Sequence, residues 1–252
     1  MINWQETLLF PVRDDESRKQ FLIACLVTLA GFIIPLLPTF VLMGYGVKIM
    51  RQVIEERKSP AMPDWQESDW AQMFIDGLRV FGAQMILFLP LFLLLCCSAS
   101  SIFIGTAGIS ESADGEKFRS LAPLGMIFLF IGIGTTVIFS LLSFPYSIII
   151  SAALPHLVAK NSFAAAFAFK EWFPIFRKGL AQFILGYLLI MVASFVFMFV
   201  IQFALLTIIL ICIVPLLMIP FSAYLTLVSF TIYTQAYVTG LEAAPVEPHA
   251  TA

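Results

Sequence analysis

The chain has 252 residues, of which 60% are apolar and only 12% charged, against roughly 45–50% and about 25% in soluble domains. Its net charge of −2, with no dense basic cluster, excludes nucleic-acid binding by bulk electrostatics. The apolar excess is gathered into uncharged blocks, Phe21–Val47, Val80–Ser110 and Leu180–Leu241. Each can cross a hydrocarbon core about 30 Å thick at about 1.5 Å per helical residue, and none carries the polar stripe of a soluble helix.

Met1–Gln20 carries Trp4, Leu8, Leu9 and Phe10, then the charged run Arg13, Asp14, Asp15, Glu16, Arg18 and Lys19. It reads as an interfacial segment. It is not a cleavable signal peptide, because the apolar block behind it is too long and no small-residue cleavage site follows. Phe21–Met50 amounts to roughly 45 Å of helix, more than one span and less than two. Pro35 and Pro38 lie within it. A tilted, kinked crossing and a re-entrant hairpin both fit; a single kinked span is the expectation.

The polar stretch Lys48–Arg79 follows. Asp64 with Glu67 predicts a helix N-cap and its capping-box partner. Trp70, Met73, Phe74, Gly77, Leu78 and Phe81 then recur at helical spacing. This predicts a short amphipathic helix in the membrane interface, anchored by Trp65 and Trp70, with Asp69 and Asp76 left in water. The second span is expected over about Val80–Ile104 and a polar loop over Gly105–Ala122. A third span runs from Pro123 to about Leu157, with Pro145 and Pro155 inside it and His156 at the interface. In Lys160–Lys178, Ser162 is expected to cap a second amphipathic helix that holds Phe163, Phe167, Trp172 and Phe173 and ends at Pro174. Trp172 is a third interfacial anchor. Leu180–Gly240 carries two further spans, about Leu180–Ile201 and Pro215–Val238, joined by an apolar connection. The tail from Ala243 is small and proline-containing, with the composition of a flexible end.

The fold class is therefore all-α: a polytopic helical membrane protein with about five transmembrane spans, several proline-kinked, and two short cytoplasmic interfacial amphipathic helices. Residues 1–240 form one membrane domain and 241–252 a flexible tail. Phe74-Ile-Asp-Gly77-Leu78 parallels Phe176-Arg-Lys-Gly179-Leu180, which predicts an internal repeat of about 21–104 and 123–201 followed by a last span. Lys and Arg concentrate in Lys48–Arg79 and Lys160–Lys178, while Gly105–Ala122 has only Lys117 and Arg119. The positive-inside rule puts the two basic loops in the cytoplasm. Five spans would then leave the N-terminus outside, against the mild contrary bias of Arg13, Arg18 and Lys19.

No Asp, Glu, Lys or Arg lies inside an apolar block, so the intramembrane ionisable groups usual in ion-coupled transporters are missing. A small and polar stripe runs down the third span through Gly132, Thr136, Ser140, Ser143, Ser147 and Ser151. A second runs through Ser222, Thr226, Ser229 and Tyr233. Helix packing is the reading adopted, with a polar substrate groove as the alternative. Gln84, Gln182 and Gln202 are expected to hydrogen-bond between helices. Cys25, Cys96, Cys97 and Cys212 lack metal-ligand spacing and read as lipid- or helix-facing residues.

Gly44-Tyr45, Arg51, Met62-Pro63-Asp64-Trp65, Phe74-Ile-Asp76-Gly77-Leu78 and Leu89-Pro90 together resemble the DUF4013 family of prokaryotic membrane proteins. Tyr233-Thr-Gln235-Ala236-Tyr237 resembles its closing element. Met62 stands where leucine is usual and Thr234 where glycine is. The resemblance covers about Asn3–Gly240 and implies a multi-pass protein of the prokaryotic inner membrane; it carries no activity. With no phosphate loop, nucleophile–base arrangement or metal cluster, the expectation is a non-catalytic chain without cofactor. Its partners are membrane lipids and a protein subunit or second copy within the membrane, with no nucleic acid. The function expected is an accessory or scaffold subunit of a membrane assembly; the alternative is a passive or partner-driven permease for a lipid or small uncharged molecule.

Overall fold

The computed structural model describes residues 3–31, 33–57, 59–66, 69–114, 122–206 and 213–243. Every regular element among them is helical. In chain order these are α1 (Trp4–Leu9), α2 (Asp15–Ala30), α3 (Leu37–Glu56), α4 (Trp70–Asp114), α5 (Ala122–Ile150), α6 (Ala153–Lys160), α7 (Phe169–Lys178), α8 (Leu180–Leu206) and α9 (Val214–Glu242). Short 3-10 turns at Phe10–Val12 and Phe163–Phe167 complete the set. Two compact units result: Met1–Ala83 with Ser151–Ala252, and Gln84–Ile150.

Four stretches are long and apolar enough to cross a membrane: Trp70–Ile109, Ala122–Lys160, Leu180–Leu206 and Val214–Glu242. The first apolar block is not among them. The block expected as a single kinked span holds two helices, α2 and α3, with non-helical backbone at Gly31 and 33–36 between them. The prolines account for the break. Pro35 lacks a donor N–H and disfavours helix at the residue before it, and Pro38 restarts the helix in the first turn of α3. Between them Leu36 takes φ 75°, ψ −48°, and Leu37 N–H donates to the Pro35 carbonyl at 3.0 Å, closing a γ-turn.

The larger unit has its core between α2, α3, the start of α4 and α9. Ala24, Val27, Leu42, Tyr45, Ile49, Met73, Leu227 and Ile232 are buried there. The N-terminal segment, expected at the interface, folds onto this core. Phe10 and Thr7 are buried, the Thr7 hydroxyl donates to Gln235 Oε1 at 2.7 Å, and the Tyr224 hydroxyl donates to the Leu8 carbonyl at 2.9 Å.

Two close helix crossings in this unit share one contact pattern. A Cβ on Gly44 would fall on the Met73 carbonyl, and one on Gly77 on the Phe40 carbonyl and Gly44 N. A Cβ on Gly240 would fall on the Ile175 carbonyl, and one on Gly179 on the Ala236 carbonyl. The paired motifs at Gly77 and Gly179 thus each seat a helix against a backbone that tolerates no side chain. In the second case the partner is α9, the last helix.

Three expected boundaries change. Asp64 stands six residues before the start of α4 at Trp70, and Glu67, the partner expected for its cap, lies outside the described residues. The helix expected to lie flat is the first part of α4, continuous with the span. Its inward stripe is Met73, Asp76, Gly77, Val80, Ala83 and Leu87, so Asp76 is buried rather than left in water. Pro174 lies inside α7, which runs on to Lys178, and Ser162 makes no side-chain cap.

The smaller unit pairs the distal part of α4 with α5. The segment after Gly105, expected as loop, continues α4 as helix to Asp114. Its glycines serve packing: a Cβ on Gly105 would meet the Leu129 and Gly125 backbones, and one on Gly132 would meet Ile102. Ser98 Oγ donates to the Gly132 carbonyl at 3.0 Å, and the Tyr146 hydroxyl donates to the Leu87 carbonyl. Lys117, Arg119, Cys212, the connection at 207–212 and the tail from 244 lie outside the described residues.

Candidate functional site

Residues far apart in the sequence signature converge at one end of the larger unit. Tyr45 is fully buried, and its ring stacks on Trp65 with centroids 4.1 Å apart and planes 5° apart. Its hydroxyl donates to the Pro63 carbonyl at 2.6 Å. Trp65 Nε1–H donates to the Gln20 carbonyl at 3.1 Å, and Gln20 Nε2–H donates to Asp64 Oδ1 at 3.0 Å. The Pro-Asp-Trp stretch is thereby a clasp that joins the base of α2 to the middle of α3.

A second cluster joins α3 to α4. Lys48 Nζ pairs with Asp69 Oδ2 at 2.7 Å and donates to the Asp64 carbonyl at 3.0 Å. Asp76 accepts from Arg51 Nη2 at 3.2 Å, Gln72 Nε2 at 3.0 Å and Arg79 Nη1 at 3.5 Å. The helical spacing of Gln72, Asp76 and Arg79 places them on one face, and Arg51 reaches across from α3. Arg51, Asp76 and Arg79 line a hollow with Val47, Leu157 and Asn161, of about 10 Å3. That is roughly the space for one water.

A third cluster joins α6, α7 and α9. His156, expected at the interface, is 2% exposed. Its Nδ1 lies 2.9 Å from the Tyr237 hydroxyl and its Nε2 3.3 Å from Glu171 Oε2. Lys160 Nζ is 3.8 Å from the same carboxylate oxygen. Sequence reasoning missed this link because its members are 15 and 81 positions apart. The one available signal was Tyr237 in the closing element.

The anchors and stripes separate in space. Trp70 is exposed and Trp65 half-buried, whereas Trp172 is 0% exposed and its Nε1–H donates to the Ala166 carbonyl at 3.1 Å. Trp172 thus packs inside the protein and offers no surface to an interface. Several stripe hydroxyls bond back to their own helices, and Thr136 Oγ1 also lies 2.5 Å from Ser98 Oγ on α4. Thr136 donates to the Gly132 carbonyl, Ser140 to Thr136 and Ser143 to Ser140. Ser222 donates to Ile219, Thr226 to Ser222 and Ser229 to Thr226. Ser147 is half-exposed and Ser151 buried, and the Tyr233 ring stacks against Phe183. Cys25 is half-buried and Cys96 and Cys97 are exposed, all as free thiols. Among the described residues no three His, Cys, Asp or Glu side chains come together as metal ligands.

A larger, open cleft of about 390 Å3 lies between α2 and α3, lined by Ile23, Leu26, Ala30, Leu37, Val41 and Trp70. Its volume is in the range of ligand pockets, about 300–1,000 Å3, but it lacks the convergent polar groups such pockets use for orientation. The family described as a protein of unknown function, DUF4013, matches residues 27–211, the larger part of the chain. No curated protein and no solved structure matches.

Proposed function

The chain belongs to the DUF4013 family, and on that premise we propose that it is a non-catalytic multi-pass protein of a prokaryotic cell membrane, an accessory or scaffold subunit of a membrane assembly. One observation carries this reading: the Arg51–Asp76–Arg79 cluster has no room, and the roomy cleft has no polarity. The Arg51–Asp76–Arg79 cluster encloses about 10 Å3, while the cleft of about 390 Å3 is walled by carbon. Catalysis and selective transport both need the two features together, since polar groups must reach a substrate to orient it or stabilise its changing charge. Here the signature residues spend their hydrogen bonds on joining α2, α3 and α4. Thr136, Ser140, Ser143, Ser222, Thr226 and Ser229 likewise bond carbonyls of their own helices, and Thr136 also meets Ser98 of α4, which supports packing as their work.

Reconstitution into sealed vesicles tests the reading. With an imposed proton or sodium gradient and a panel of uncharged solutes, no gradient-dependent uptake is expected. Uptake abolished by an ionophore would replace the scaffold reading with a transporter and direct attention to the proline-broken segments.

A further inference from the structure

We propose that the α2–α3 hairpin is a re-entrant membrane element: it enters one leaflet, turns at 31–36 and leaves by the same face, with lipid acyl chains as its partner. Four features carry this.

The first is the placement of charge. The base of α2 holds Arg13, Asp14, Asp15, Glu16, Arg18 and Lys19, and the far end of α3 holds Lys48, Arg51, Glu55, Glu56 and Arg57. No charge lies between Gln20 and Val47. The second is length. From Gln20 to Ala30 and from Leu37 to Val47 each arm rises about 15 Å, half of a core about 30 Å thick.

The third is the tip. Ile33 is 82% exposed, and Ile34, Leu36 and Leu37 beside it are exposed too. Four large apolar side chains exposed across 33–37 on a water-facing turn would be a liability. In acyl chains they are the natural cover. The fourth is the tip backbone. Irregular backbone in a membrane must satisfy its own polar groups. Gly31 N–H donates to the Thr28 carbonyl, Ile33 and Ile34 N–H to the Ala30 carbonyl, and Leu37 N–H to the Pro35 carbonyl, all at 2.9–3.1 Å. Pro35 and Pro38 have no N–H to satisfy. These bonds keep the amide donors of Gly31, Ile33, Ile34 and Leu37 paired within the protein.

The contacts at the base fix the topology. Ser59 Oγ donates to Glu6 Oε2 at 2.8 Å, Gln20 bonds Asp64, and Arg57 pairs with Glu242 at 2.9 Å. The segments before α2, after α3 and at the end of α9 therefore share one side. Four crossings with both termini on the side of the basic loops remove the conflict that five spans created for Arg13, Arg18 and Lys19. The cleft between the arms, walled by Ile23, Leu26 and Val41, is open to the same leaflet and takes an acyl chain.

The test uses the full chain with all four cysteines replaced by alanine and a single cysteine restored as Asp15→Cys, Ile33→Cys or Ser59→Cys. Each variant is probed with a membrane-impermeant thiol reagent in right-side-out and inverted sealed vesicles. Asp15→Cys and Ser59→Cys are expected to label from the same side, and Ile33→Cys from neither. Labelling of Asp15→Cys and Ser59→Cys from opposite sides would make the segment a crossing. Labelling of Ile33→Cys would put the tip in water. A nitroxide on Ile33→Cys gives an independent reading: collision with dissolved oxygen should dominate, and dominant collision with a water-soluble nickel chelate overturns the proposal.

Discussion

Replacing Asp76 by alanine removes the acceptor that holds α3 against α4. The side chain is 7% exposed and takes donors from Arg51, Gln72 and Arg79. A hydrogen bond to a charged group nets about 1.5–3 kcal/mol when well shielded. The arginines are 34% and 45% exposed, so solvent screens them and lowers each ion pair toward about 0–1 kcal/mol. The Arg79 contact at 3.5 Å is at the edge of hydrogen-bond geometry and contributes least. The sum is about 2 kcal/mol, from Arg51 and Gln72 together. At about 2–4 °C per kcal/mol for a chain of this length, the melting temperature in detergent should fall by about 4–8 °C. Asp76→Asn, which keeps an acceptor, should lose about half as much. A double-mutant cycle with Arg51→Gln isolates the pair, and a coupling of about 1 kcal/mol is expected. A melting temperature within about 1 °C of the parent for Asp76→Ala, or strict additivity in the cycle, would refute the cluster as a brace.

Gly77→Ala, which drives a methyl into the Phe40 carbonyl, should destabilise by about 1–3 kcal/mol in the same melts. Gly134→Ala, with nothing within 4 Å of the added carbon, should be neutral or slightly stabilising. Tyr45→Phe leaves the Pro63 carbonyl without its donor and should cost about 1–3 kcal/mol, read by melting and by a change in Trp65 emission. Asp14 caps α2 by accepting from Ser17 N–H at 2.7 Å, which holds its carboxyl below the usual range. The cap is therefore fully present above the ordinary carboxylate pKa and is lost as pH falls through the lowered value. The protection factor at Ser17, with the intrinsic pH dependence of exchange divided out, should fall across that window and show no such fall in Asp14→Ala. Ser140, Ser143 and Ser147 changed together to Ala should leave assembly intact and shift stability by no more than about 1–2 kcal/mol; loss of a solute flux with assembly retained would mark them as a groove.

The class of the fold was legible because hydrophobic block length is a direct reading of membrane thickness. The starts of α8 and α9 followed from the same signal, whereas both helices run on past the expected Ile201 and Val238, to Leu206 and Glu242. The α2–α3 hairpin was written in Pro35 and Pro38, but proline both kinks and ends helices, and periodicity alone does not choose between them. Gly105 and Gly108 misled for a related reason: glycine marks turns in water and close packing between membrane helices. Asp76 was placed in water from its helical phase with the aromatic residues. Its burial depends on Arg51, 25 positions away on another helix. His156 shows the same limit, since its partners come from α7 and α9. Of the candidate site, Gly44, Tyr45, Asp64 and Trp65 were visible as a pattern, while the clasp they form needed the chain's turn at 31–36.

Native mass spectrometry after gentle extraction of the protein with its surrounding lipid tests the central reading most directly. A mass above one chain plus lipid is expected, from a protein subunit or a second copy held within the membrane. A single chain with lipid alone, together with gradient-driven uptake in vesicles, would contradict it.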